Sequence, residues 1–319
     1  MEPHEGGLRP DALQHSHLSR QEEQPVDVKK YANNPNTKQP ISQSLRNAIA
    51  ADSKWDQQAD QTISDAIFSE VEEQILADLS KLKHPYHDKQ HTQNVIAGVT
   101  ELAELAGLDE AEKQLLRVAA LFHDYDHAGN TFRQTVADAV RNDISNEEYA
   151  AIKADEAVGQ YLSVPQRLQL QGIILATSFA QSNPDNLPDS SYQRDYAPTT
   201  KLEKFTAFAD INNLNDSLAD WMNENFAVFS ESGRGGIPAD FDGYLENRLS
   251  FLKYVQMRLD DVTPFIADES ADEFQRLLDN RVAEISEMKD TSSSSRAEYA
   301  GTFEQVRVRR LEELDRLEK

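Results

Sequence analysis

The chain has 319 residues and a formal net charge of −24, because 56 acidic side chains outnumber 32 basic ones. This balance provides no positive field for a polyanion, so we do not expect a protein that binds duplex nucleic acid. The chain contains no cysteine, which excludes disulfides, thiolate metal sites and cysteine nucleophiles. His, Asp and Glu are therefore the strong metal ligands that remain.

Residues 1–56 predict a mobile polar leader. The first 40 residues hold five of the twelve prolines and almost no apolar periodicity, so they cannot bury enough surface to offset the entropy of ordering. The start of the chain lacks the basic and then apolar pattern of a signal peptide, and its apolar runs are far shorter than the ~20 residues that cross a bilayer. We expect a cytoplasmic protein with no membrane partner.

Residues 57–290 predict an all-α, multi-helix bundle, because apolar side chains recur at intervals of three and four rather than two. One such stripe consists of Ile63, Ile67, Val71, Ile75 and Leu79. A second stripe runs from Val95 to Leu105 or Ala106 and stops near Gly107, and a third begins at Asp109 and ends at Phe122. Later helical stripes are expected over residues 149–162, 166–176, 202–214, 244–259 and 274–285.

Two predicted connections interrupt the bundle. Residues 181–200 are rich in Asn, Pro, Asp and Ser, and a connection of this length is typical of a functional lid or of disorder. Residues 230–239 contain three glycines but lack the strand that precedes a phosphate-binding loop. Residues 291–319 predict a charged C-terminal helix, through which two copies of the chain could associate as a homo-oligomer.

The histidines are unevenly placed along the chain. Five of the eight lie between residues 84 and 127, and none follows His127. His87 and His91 are four residues apart, which on a helix places both on one face, and Val95 and Val99 continue that face. We therefore expect these two imidazoles to point toward the core.

A second group of polar residues interrupts an apolar stripe. His123 directly follows Phe122, Asp124 is adjacent, and His127 lies one turn further. Burying an ionisable pair there costs on the order of several kcal/mol unless the charge is paired or held by a metal. Asp210 also lies within the most apolar part of its segment. Each residue alone is usually a satisfied core or solvent-facing residue, but the combination predicts a metal site.

In this order the residues resemble the HD superfamily of metal-dependent phosphohydrolases, and most of all its class I cyclic-nucleotide phosphodiesterases. The family's Y-H-N-x-x-H pattern corresponds to residues 86–91 (YHDKQH), and its H-D-x-D-H-x-G pattern to residues 123–129 (HDYDHAG). Its late aspartate corresponds to Asp210. The resemblance covers residues 85–210 in order and spacing.

The resemblance implies an enzyme that cleaves the phosphodiester of a small molecule, first of all a cyclic nucleotide, by metal-activated hydroxide. It assigns a tightly bound Zn, Fe or Mn to four ligands: His91, His123, Asp124 and Asp210. Asp124 would also bridge to a second, largely water-ligated Mg or Mn. His87 would protonate the departing oxygen as a general acid, and His127 would hydrogen-bond the waters of the metals.

The chain departs from the family pattern at several positions. Asp88 replaces the usual Asn, Phe132 replaces an Asn or Gln, and the paired histidine expected on the following helix is absent. Where that histidine would be expected, Glu147 or Asp155 could hydrogen-bond to the metal ligands. Thr177 could do the same from residues 176–178 (ATS), which resemble the family's A-T-D. The glutamine that clamps the purine in animal members is not found, so the pattern indicates the reaction better than the substrate.

Rival functions stay open at this point. Nucleotide phosphomonoesterases and triphosphohydrolases share this metal machinery, and a non-catalytic binding module could keep the helices and lose the site. The di-iron oxygenases of the superfamily need histidines on later helices, and the chain has none after His127. The cyclic-di-GMP hydrolases carry a G-Y-P element that is absent here.

Overall fold

The computed structural model describes residues 63–81, 84–125, 146–178, 198–231, 236–290 and 292–317. Within these residues the chain forms ten α-helices and no strand, so the predicted all-α, multi-helix bundle is confirmed. The helices are α1 (Asp65–Leu79), α2 (Lys89–Leu105), α3 (Glu110–Phe122), α4 (Asn146–Val158), α5 (Val164–Leu175), α6 (Lys201–Ala209), α7 (Leu218–Glu231), α8 (Phe241–Val262), α9 (Asp268–Glu287) and α10 (Ser294–Leu317). The predicted leader and most of the 181–200 connection lie outside the described residues. No described helix has the length and apolar composition needed to span a bilayer.

Local sequence sets both ends of α2. The helix begins after Asp88, whose carboxylate accepts a hydrogen bond from the His91 amide at 3.0 Å. It ends before Gly107, which has a φ of 61° that glycine adopts without a Cβ clash. The amides of Gly107 and Leu108 then donate to carbonyls of the last turn, each at 3.0 Å. Asp88 thus caps the helix that carries His91.

Helix α6 is shorter than the sequence pattern predicts. It begins after Thr200, whose hydroxyl accepts from the Glu203 amide, and it ends at Ala209 rather than near residue 214. Asn212 and Asn213 follow, and asparagine side chains compete with helical backbone hydrogen bonds. Asp210 therefore lies at the C-terminal end of α6 and not in its interior.

Helices α2, α3 and α6 contact one another and bring their functional ends together. Their apolar faces join one core cluster that extends from Ile63 to Phe303. Gly98 of α2 faces Ala209 of α6 so closely that a Cβ at Gly98 would lie 3.2 Å from the Ala209 Cβ. The glycine permits the close approach that places α2 against the helix end before Asp210.

Helix α7 is absent from the predicted stripes, and this is the main error in the predicted helix boundaries. Its buried side chains include Trp221, Met222, Phe226 and Phe229. Leu218, Met222, Phe226 and Phe229 recur at intervals of four, four and three, so the sequence does contain the helical period that predicts this helix. The predicted 230–239 connection is also too long, because α7 continues to Glu231.

The C-terminal helix α10 packs against α7 and α8. Phe303 is 1% exposed and stacks on Phe229, with ring centroids 5.4 Å apart. Its ring also contacts Tyr244 of α8 at 5.2 Å. Arg310 and Leu314 are buried on the same helix. The apolar side of α10 is therefore part of the core of the protein.

We expect Phe303→Ala to lower the free energy of unfolding by about 3–5 kcal/mol, because it removes a fully buried aromatic ring and leaves a cavity. Val308→Ala on the same helix is the matched control, since Val308 is 42% exposed and should change stability by less than about 0.5 kcal/mol. Urea unfolding followed by circular dichroism measures both. Equal small effects would contradict the packing of α10.

Candidate metal centre

The four predicted metal ligands converge at the ends of three helices. His91 lies in the first turn of α2, His123 and Asp124 directly follow α3, and Asp210 directly follows α6. One ligating atom from each residue lies within 4.8 Å of the others. His91, His123 and Asp124 are buried, and the Asp210 side chain is 9% exposed.

The distances between these atoms are short and similar. Nε2 of His123 lies 3.2 Å from Nε2 of His91. Asp124 Oδ2 lies 3.1 Å from the His91 nitrogen and 3.0 Å from the His123 nitrogen. Asp210 Oδ1 lies 3.5 and 3.3 Å from the same two atoms.

This spacing matches the coordination sphere of one cation. Metal–ligand bonds of ~2.1 Å at 90–110° place neighbouring ligand atoms roughly 3.0–3.4 Å apart. Two neutral imidazoles and two carboxylates also carry the charge of −2 that balances a divalent ion. The buried group of His91, His123, Asp124 and Asp210 could therefore bind a metal ion.

A backbone hydrogen bond fixes the tautomer of His123 so that its Nε2 can bind a metal ion. Nδ1 of His123 lies 2.7 Å from the Ala120 carbonyl oxygen, which can only accept, so Nδ1 carries the proton and donates it. Nε2 then faces the cluster as the ligating nitrogen. Helices α3 and α6 both terminate at the site, and the partial negative charge of a helix C-terminus favours a cation there.

When no metal ion is bound, the neighbouring carboxylates favour the protonated form of both imidazoles. Burial alone lowers the pKa of His91, but hydrogen bonds to Asp124 and Asp210 outweigh it and raise the pKa to about 9. The same opposition of burial and carboxylates raises the pKa of His123 well above its usual value. Burial alone raises the pKa of both aspartates, but the imidazoles hold both values well below the usual range. Asp124 Oδ2 is buried and lies 3.1 and 3.0 Å from Nε2 of His91 and His123, a position from which it could also ligate a cation.

We expect metal binding at pH 7 to release about one to two protons, because the two imidazoles must lose the protons that their raised pKa values retain. Protons compete with the metal below the pKa of His91, so the metal affinity should rise as the pH increases toward about 9. Calorimetric titration of Zn²⁺ in two buffers of different ionisation enthalpy counts the protons. Binding without proton release would contradict this protonation state.

His87 is held beside the cluster by a residue that the sequence analysis does not predict. Its Nδ1 hydrogen-bonds Oε2 of Glu231, the last residue of α7. The other carboxylate oxygen of Glu231 accepts from the amides of Tyr86 and His87, at 2.6 and 3.2 Å. Burial alone raises the pKa of Glu231, but these hydrogen bonds lower it below the usual value. The ionised carboxylate therefore fixes both the His87 ring and its backbone.

One sequence signal could have identified Glu231. An acidic residue at the C-terminal end of a helix is electrostatically unfavourable unless it has a partner. Glu231 also lies two residues after the apolar Phe229, and in the structure it is only 4% exposed. The missing information was the long-range pairing with the segment before α2, which no local pattern encodes.

Tyr86 contacts the cluster through the ring of His91. Its ring lies on the His91 ring, with centroids 4.4 Å apart. Burial, followed by the charges of Asp210, Glu224, Asp124 and Glu231, raises the pKa of Tyr86 well above its usual value. Tyr86 therefore presents a protonated hydroxyl at neutral pH.

The remaining predicted residues have other positions. His127 lies outside the described residues. Both carboxylate oxygens of Asp155 accept from Arg167, each at 2.6 Å, so this pair joins α4 to α5. Glu147 is half-buried in the first turn of α4, and the Thr177 hydroxyl donates to the Ile174 carbonyl after α5.

Comparisons of the chain with protein-family models, with curated proteins and with solved structures found no match.

Proposed function

We propose that this protein is a metal-dependent phosphohydrolase that cleaves a phosphodiester, with cyclic nucleotides as the substrate class. The observation that most supports this is the His87–Glu231 pair beside a buried four-ligand centre. The rings of His87 and His91 have centroids 6.2 Å apart, so an ionisable group and the centre could act on one substrate. The resemblance to the HD superfamily points to the same reaction.

The proposed metal chemistry uses two ions. The tighter ion, Zn, Fe or Mn, would be held by His91, His123, Asp124 and Asp210, since a mixed nitrogen and oxygen set suits these metals. Asp124 would also hold a second Mg or Mn that keeps most of its waters. Bound cations supply Lewis acidity and lower the pKa of their water to near neutrality. They would also reverse the local field of a protein with a net charge of −24, which otherwise repels a phosphate.

His87 has the proposed role of general acid. Its Nδ1 is committed to Glu231, so Nε2 is the ring nitrogen that would exchange a proton with the substrate. A proton delivered there to the departing ribose oxygen avoids a high-energy alkoxide. Glu231 orients the ring for this transfer.

The test is hydrolysis of bis(p-nitrophenyl) phosphate by the purified protein with added Mn²⁺, followed by a panel of cyclic and linear nucleotides. We expect Mn²⁺-dependent release of p-nitrophenolate, its loss on chelation and its return when Mn²⁺ is restored. Among the nucleotides, a cyclic phosphodiester should turn over faster than any monoester. Faster turnover of monoesters would identify a phosphomonoesterase, and no turnover of any phosphate ester would contradict the proposal.

A further inference from the structure

A cavity of about 470 Å³ lies between the segment that leads into Tyr86, helix α7 and the C-terminal helix α10. Neither His87 nor any of the four predicted metal ligands lines it. Its walls include His84, Pro85, Phe226, Val306, Arg309 and Arg310. The cavity is therefore separate in its lining from the candidate metal centre, although Glu231 also borders it.

The lining brings two guanidinium groups, those of Arg309 and Arg310, together in a strongly acidic protein. Arg310 is only 7% exposed and donates to the backbone carbonyl of Glu231 at 3.2 Å. It also pairs with Glu313 at 3.2 Å. Arg309 is exposed and has no ion pair among the described residues. The Glu231 carboxylate already accepts hydrogen bonds from the His87 ring and from two backbone amides. Glu313, which also lines the cavity, pairs with Arg310, whereas Arg309 has no such partner in the described part of the chain.

The rest of the lining is apolar and of the right scale for a small organic molecule. Phe226, Val306 and Pro85 supply apolar parts of the lining. Volumes of about 300–1,000 Å³ with apolar walls and a few fixed polar groups are typical of ligand sites. A guanidinium group binds phosphate-type oxygens through two parallel hydrogen bonds.

We propose that this cavity binds a small organic phosphate, with its head group on Arg309 and Arg310 and its apolar body against Phe226 and Val306. The head group would satisfy the unpaired guanidinium of Arg309 and lie beside the buried one of Arg310. This binding does not depend on the proposed hydrolytic activity.

The test is calorimetric titration of the full-length protein with phenylphosphonate, whose P–C bond resists hydrolysis. Arg309→Gln should weaken binding about tenfold, as expected for the loss of a charge-assisted pair of hydrogen bonds. Arg307→Gln is the matched control, because Arg307 lies on the same helix, pairs with Glu304 and does not line the cavity. It should bind phenylphosphonate as the unchanged protein does, and EDTA treatment should leave binding intact.

Three results would overturn the proposal. Equal dissociation constants for the Arg309→Gln and unchanged proteins would show that Arg309 does not bind the head group. Loss of binding after EDTA treatment would place the phosphonate at the metal centre instead. Equal binding of benzyl alcohol, which has the ring without the charge, would show that the cavity does not select an anion.

Discussion

Replacing Asp210 with asparagine should abolish tight metal binding and reduce phosphodiester hydrolysis by at least about 10³-fold, since loss of the metal removes several kcal/mol of transition-state stabilisation. The neutral amide removes one of two carboxylates that balance the cation, and it leaves a shape close to that of the aspartate. The measurements are metal content by mass spectrometry after gel filtration and the rate of bis(p-nitrophenyl) phosphate cleavage at saturating Mn²⁺.

Asp220→Asn is the control for this substitution. Asp220 is exposed in the first turn of α7 and does not belong to the four-ligand group. It should keep full metal content and activity. Circular dichroism should show that both variants are folded, and full metal content in folded Asp210→Asn would remove Asp210 from the ligand set.

His87→Ala should reduce hydrolysis of a cyclic nucleotide by about 10²–10⁴-fold, the usual contribution of a general acid. The same variant should cleave bis(p-nitrophenyl) phosphate at nearly the unchanged rate, because p-nitrophenolate departs without protonation. The ratio of the two rates therefore isolates proton transfer from metal binding. Both substrates are assayed at saturating Mn²⁺ on the same preparation.

Glu231→Gln is a second test of the His87–Glu231 pair. The amide cannot supply the negative charge that faces Nδ1 of His87, although it can still hydrogen-bond. We expect it to show the same dependence on the leaving group as His87→Ala, with a smaller loss. Equal losses on both substrates in either variant would indicate a damaged metal centre rather than a missing acid.

Much of the candidate metal centre is predictable because its sequence signals are local. His91 lies on the α2 face that Val95 and Val99 continue, and His123 with Asp124 ends an apolar stripe. The prediction that His87 shares that helix face is wrong, because His87 precedes Asp88, the residue that caps the start of α2. Asp210 was identified from its apolar surroundings and its order in the family pattern. Its position at the end of α6 was not predicted, because the helix stops where Asn212 and Asn213 begin.

The parts that sequence reasoning misses depend on contacts between distant segments. The pairing of Glu231 with His87 joins the end of α7 to the start of α2, and neither segment encodes the other. Asp155 was predicted as a carboxylate that supports the metal ligands, but both of its oxygens accept hydrogen bonds from Arg167. The cavity beside α10 is likewise lined by segments that are far apart in the sequence, the residues before Tyr86, helix α7 and helix α10.

The most direct measurement is the anomalous difference map of crystals grown with Mn²⁺, recorded on both sides of the metal absorption edge. The account predicts a peak about 2.0–2.2 Å from Nε2 of His91 and His123 and from one carboxylate oxygen each of Asp124 and Asp210. A map in which these four side chains remain hydrogen-bonded to one another, with no peak between them, would contradict it.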